Sequence, residues 1–184
     1  DVWGADASNI WAVGDGGVIL KWNGSAWSTQ TSGTTSNLLR VWGSDASNVW
    51  AVGATGTIRK WNGSTWAAQT SGTTNTLRSV WGNSATSVWA VGDLGTIVKW
   101  NGTSWATQTS GTTTALNGVW VADASNAWVV GTSGLVRFWN GTTWAAQTSA
   151  PSQTLSASWG TSASSVWAAG ASGVAADEVI GKRG

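Results

Sequence analysis

Residues 41–66 read VWGSDASNVWAVGATGTIRKWNGSTW, and the alternation within this stretch decides the fold. Asp45-Ala46-Ser47-Asn48 is a turn, because Asp, Ser and Asn side chains bond their own nearby backbone. Val49-Trp50-Ala51-Val52 is a strand, ended by Gly53 and an Ala54-Thr55-Gly56 turn. Thr57-Ile58-Arg59-Lys60-Trp61 is the next strand, and Asn62-Gly63 is a strong hairpin signal. Upstream, Leu38 opens a strand that runs through Val41-Trp42-Gly43. Downstream, Trp66-Ala67-Ala68-Gln69-Thr70 is a fourth strand, and Ser71–Asn75 leads onward. Nothing has the 3.6-residue period of an amphipathic helix. The chain is all-β, and no helix is expected in residues 1–170.

The same unit recurs every 39 residues. Trp3, Trp42, Trp81, Trp120 and Trp159 form one series, and Trp11, Trp50, Trp89, Trp128 and Trp167 a second. Trp22, Trp61, Trp100 and Trp139 form a third, and Trp27, Trp66, Trp105 and Trp144 a fourth, so all 18 Trp are placed. Residues 2–40 and 41–79 agree at 26 of 39 positions, which points to recent duplication or design. Four antiparallel strands per repeat of this length are the signature of a β-propeller blade. A β-solenoid is the other architecture for repeated short strands, but its coils need shorter repeats. Residues 1–184 are read as one propeller domain with repeats 2–40, 41–79, 80–118, 119–157 and a partial 158–184.

The fifth repeat is incomplete. It keeps strands over Leu155–Gly160 and Val166–Gly170, reduces the third to Val174-Ala175-Ala176 and lacks the fourth. The expected arrangement is a single-chain five-blade ring with a short last blade; several chains sharing a ring, or part of a longer array, are the alternatives. An unpaired edge at that blade invites pairing, so the edge is expected to be covered by the Asp177–Gly184 tail or by self-association. With Asp1 first and no Met anywhere, the chain is read as a processed, excised or partial portion of a reading frame.

Composition removes most chemistry. The 184 residues hold nine Lys/Arg, eight Asp/Glu, no His, no Cys and no Tyr. Without His the usual general base and the commonest transition-metal ligand are missing. Without Cys there is no thiol catalysis, disulfide or Cys zinc site. A net charge near +1 gives no basic footprint for nucleic acid, and no apolar run reaches transmembrane-helix length. No enzyme, catalytic residue, metal site or cofactor is expected, nor any nucleic-acid partner or membrane insertion.

Two features invite a ligand. In an up-and-down blade the first–second and third–fourth connections emerge on one face. Each full repeat there places Asn between two Trp: Trp22, Asn23 and Trp27; Trp61, Asn62 and Trp66; Trp100, Asn101 and Trp105; Trp139, Asn140 and Trp144. Aromatic rings beside a polar turn suit the apolar face and polar rim of a sugar. Equally, each Trp pair flanking its turn fits a simple cross-strand aromatic pair. Asp6, Asp45 and Asp123 are replaced by Ser84 and Ser162 in the other repeats, which fits a turn-capping role and not a calcium ligand. The Asn-Gly-Ser/Thr tips also match the glycosylation pattern, which hairpin geometry produces anyway. Lys21, Lys60 and Lys99 read as a thin, solvated ring of charge.

Trp42-Gly43, Asn48-Val49-Trp50-Ala51-Val52-Gly53, Ile58 and Trp61-Asn62-Gly63-Ser64-Thr65-Trp66 resemble the Trp-rich blades of bacterial β-propeller lectins. The tachylectin family is a similar five-bladed precedent, and the hairpin resembles a degenerate Asp-box of sialidase-like propellers. That resemblance implies glycan partners at the hairpin Trp and Asn, several weak equivalent sites, and an extracellular or cell-surface setting. A sialidase activity is excluded, because its Tyr nucleophile has no counterpart here. The leading expectation is a carbohydrate-binding, lectin-like propeller. The alternative is a protein-binding or purely structural repeat propeller, natural or designed, with no small-molecule ligand.

Overall fold

A computed structural model describes residues 1–148, 152–171 and 175–176. It contains five antiparallel sheets: four have four strands each, and the last has three. In blade two the strands are Leu38–Asp45, Asn48–Gly53, Ile58–Trp61 and Trp66–Gln69. Strand order follows chain order in every blade, so each first strand lies at an edge. The third strand of blade five is reduced to Ala175–Ala176. The proposed cover for its edge, Asp177–Gly184, lies outside the described residues.

Register explains why the repeat folds this way. Trp42 pairs with Trp50 and Trp50 with Lys60, while Gly43 pairs with Val49 and Val49 with Trp61. Successive strand residues point to opposite faces, so Trp42, Trp50 and Lys60 share one face. Val49, Trp61 and the paired Trp66 share the other. Both faces are apolar because both are covered by a neighbouring blade. Four hydrophobic clusters result, each spanning a joint between consecutive blades. At the first joint, Trp11, Val13 and Ile19 of blade one meet Val41, Val49, Ala51, Trp61 and Trp66 of blade two. Among the described residues no equivalent cluster joins blade five to blade one.

The turns carry one correction. No α-helix occurs among the described residues, but the second–third connections are single 3-10 turns, at Asp15–Gly17, Ala54–Gly56, Asp93–Gly95 and Thr132–Gly134. Short polar loops tighten this way when a carbonyl must accept within three residues, as Ala54 O does from the Thr57 N–H. Gly56 then sits at φ 68°, and a β-carbon there would lie 2.0 Å from Thr73 O, so the passing linker admits only glycine.

Candidate functional site

The hairpin residues singled out by sequence are brought together, but their rings are spent on packing. Trp61, Trp66, Trp100, Trp105, Trp139 and Trp144 retain only 4–8% of their surface. Each third-strand ring donates its indole N–H to the first–second turn of its own blade: Trp22 to Ala7 O, Trp61 to Ala46 O, Trp100 to Ala85 O and Trp139 to Ala124 O. Both turns therefore do share one face of the blade. The rings of each pair lie 5.6–5.8 Å apart in a tilted cross-strand contact. Their remaining faces meet the preceding blade, as where Trp139 and Trp144 each lie 5.3 Å from Trp89. In blade four the pair borders a groove of about 510 Å³ with Thr107, Gln108 and Thr143, yet little ring surface faces it. Blade one differs: Trp22 is half-buried and Trp27 is 46% exposed.

Asn23, Asn62, Asn101 and Asn140 are exposed. Their side-chain oxygens are occupied in closing four-residue loops. Asn62 Oδ1 accepts the N–H groups of Ser64 and Thr65 at 3.0 and 2.9 Å, and the other three repeat this bond pair. The Asp turns behave similarly. Asp45 Oδ1 accepts the Ser47 N–H at 2.8 Å and both carboxylate oxygens take the Asn48 amide. Burial pushes the Asp45 carboxyl up, but these bonds and the Ser44 hydroxyl outweigh it, so it sits below 3.8. Asp6 is lowered chiefly by the Ser8 N–H and the Asn9 amide.

The lysines are not a solvated ring. Lys21, Lys60 and Lys99 are each half-buried, with the ammonium between a ring of its own blade and one of the next. Lys99 Nζ is 4.5 Å from the Trp89 centroid and 5.5 Å from Trp139. Desolvation lowers the Lys99 pKa from 10.5. In blade four the same position is Phe138, 4.9 Å from Trp128, and the fifth repeat carries no third-strand Trp to complete a sandwich. Sequence reading missed this because the second ring of each sandwich lies 40 residues downstream.

The five first strands line a central channel of about 220 Å³. Their inner edges have no further strand to pair with, so main-chain groups there need other partners. Asp1 Oδ2 accepts the Val41 N–H at 2.9 Å, Ser79 Oγ the Val119 N–H at 3.3 Å, and Asn117 Nδ2 donates to Leu155 O at 2.9 Å. Ser158 Oγ is buried with no hydrogen-bond partner among the described residues. Arg40 is exposed at the channel, donating locally to Leu39 O at 2.9 Å. Among the described residues the ion pair found is Arg78–Asp93, so Arg40 makes no direct ion pair there, although the Asp1 carboxylate lines the same channel.

No family model and no curated protein matches the sequence, so the lectin resemblance rests on its motif residues. Solved structures do match. The chain is similar to YCF48 bound to D1 peptide (16% identity, TM-score 0.68, 92% of this chain and 59% of that one). It is also similar to YCF48 from Cyanidioschyzon merolae (16% identity, TM-score 0.72, 93% and 66%). The WD40 beta propeller domain of Doa1 matches at 14% identity and TM-score 0.78, over 99% and 66%. The chain thus spans 59–66% of the length of these three structures, and the likeness establishes the fold: a repeat β-propeller.

Proposed function

We propose that the chain is a non-catalytic binding module that takes an extended peptide at the mouth of its central channel. The convergence of five unpaired strand edges on one polar channel carries this reading. Such edges can bond a partner's main chain directly. Arg40 offers a cation for an acidic side chain or chain end, and Asn117 and Ser158 add polar groups. That a structure of this fold is YCF48 bound to D1 peptide supports a peptide ligand. The glycan alternative is weakened by the covered hairpin rings: among these hairpin Trp only Trp27 is exposed, and the other exposed ring among the described residues, Trp159, lies on a first strand.

The test sets a displayed peptide library against a glycan array, each probed with the whole chain. Acidic peptides should be enriched, and Arg40→Glu should weaken the selected peptide about tenfold or more by turning attraction into repulsion. Trp27→Phe should leave peptide affinity unchanged. Enrichment of no peptide, or glycan binding abolished by Trp27→Phe, would overturn the proposal.

A further inference from the structure

The two ends of the blade series are the two halves of one repeated joint. The leading face of blade two is buried on blade one through Val41, Val49, Ala51, Trp61 and Trp66. The same positions in blade one are Val2, Ile10, Ala12, Trp22 and Trp27, and none is buried: Val2 is 62% exposed and Trp27 46%. On the trailing side, Trp3, Trp42 and Trp120 each lie on a glycine of the next blade. A β-carbon at Gly43, Gly82 or Gly160 would come within 2.6–2.8 Å of those rings. Trp159 belongs to the same series but is 55% exposed. At Gly4 the nearest side chain is blade one's own Ile10, and no ring lies on it. Both halves of a fifth joint therefore exist, and neither covers the other.

We infer that the ring is completed by further blades of this same 39-residue repeat. The last added blade would cover Val2 and Trp27 and set its first-strand Trp on Gly4. The first added blade would receive Trp159. The occupant is identified by continuity with the four internal joints, where these positions are covered by nothing else. Its size follows from the fold: five blades fill 66% of the Doa1 propeller domain, leaving roughly two to three blades within the usual range for such rings. A second copy of this chain brings five blades, more than that gap holds, so it is not the occupant. The five uncovered leading-face positions Val2, Ile10, Ala12, Trp22 and Trp27 carry no charge, and a heterologous joint that continues head to tail closes once the rotation is complete.

The chain has no Cys, so single cysteines report on each face. In the 184-residue chain, Val2→Cys should be alkylated by iodoacetamide as fast as Ser64→Cys at an exposed hairpin tip. Chains lengthened by repeating residues 41–118 after residue 118, or these plus residues 80–118 once more, add two or three blades. In one of these, Val2→Cys should slow about tenfold or more while Ser64→Cys does not, because burial in a packed joint excludes the reagent. The melting temperature should rise by several degrees as the fifth joint forms. Protection of Val2→Cys in the 184-residue chain would overturn the inference, and protection that grew with concentration would identify a second copy instead. Unchanged labelling in both lengthened chains, or their failure to fold as cooperatively as the parent, would also overturn it.

Discussion

The ammonium of Lys60 lies 5.3 Å from the ring centroid of Trp50 in its own blade and 5.3 Å from that of Trp100 in the next. One cation thus joins two blades through two rings. Lys21 does the same with Trp11 and Trp61, and Lys99 with Trp89 and Trp139. Each cation–π contact of this kind contributes about 0.5–2 kcal/mol. The contact also lets a charged residue occupy a joint that is otherwise apolar.

Burial has a consequence at Lys99, whose pKa is depressed below 10.5 by desolvation. A lysine with a depressed folded pKa binds fewer protons folded than unfolded, so stability rises with pH between the folded value and 10.5. Urea midpoints should climb as pH approaches 10.5 from below, and Lys99→Met should remove that part of the climb. An unchanged slope in the variant would show that Lys99 is not the group responsible.

Trp66 and Trp27 occupy the same repeat position at 8% and 46% exposure. Trp66→Ala should cost about 3–5 kcal/mol, the usual range for emptying a buried aromatic site. Trp27→Ala should cost less than half as much. Equal losses on urea unfolding would mean that the leading face of blade one is covered in solution.

How much of this could be read from sequence depends on whether a contact stays inside one repeat. The strands around Trp42 and Trp50 were legible because alternation and turn residues are local, and the structure places them over Leu38–Asp45 and Asn48–Gly53. The fate of Trp61 was not. Its own hairpin looks the same whether the ring faces a sugar or blade one. Strand parity held a clue, since Trp61 pairs with Val49 and so lies opposite Trp50 on a face that must meet the preceding blade. Lys60 was harder, because its second ring, Trp100, comes from the next repeat. The capping role of Asp45 is legible because its partners Ser47 and Asn48 are two and three residues away.

Close approach of Trp3 makes Gly43 sensitive. A β-carbon there would meet the Trp3 ring at 2.6 Å and Asn48 O at 2.8 Å. Gly43→Ala should therefore cost about 1–3 kcal/mol, as overpacking does. Gly4→Ala meets only the flexible Ile10 side chain, at 3.1 Å, and backbone farther off, so its cost should be clearly smaller. Matched thermal unfolding of the two variants checks the difference, and equal costs would contradict it.

Asp45 links stability to acid. Its carboxyl lies below 3.8 in the folded chain, so its stabilisation is present above 3.8 and is lost as pH falls through the folded value. Asp45→Ser copies Ser84, whose Oγ accepts the Thr86 N–H at 3.3 Å. The substitution should cost about 1 kcal/mol at neutral pH and flatten the acid limb of the stability curve. An acid limb as steep as the parent's would assign the effect to other carboxyls.

The central claim is that tryptophan holds the blades together while recognition falls to the channel. Backbone hydrogen exchange, followed with and without a library-selected acidic peptide, tests it most directly. The account predicts new protection along the first strands, around residues 40–41, 79–80 and 117–119, with the hairpins at 61–66 and 100–105 unchanged. Protection confined to the hairpins, with the first strands unaffected, would contradict it.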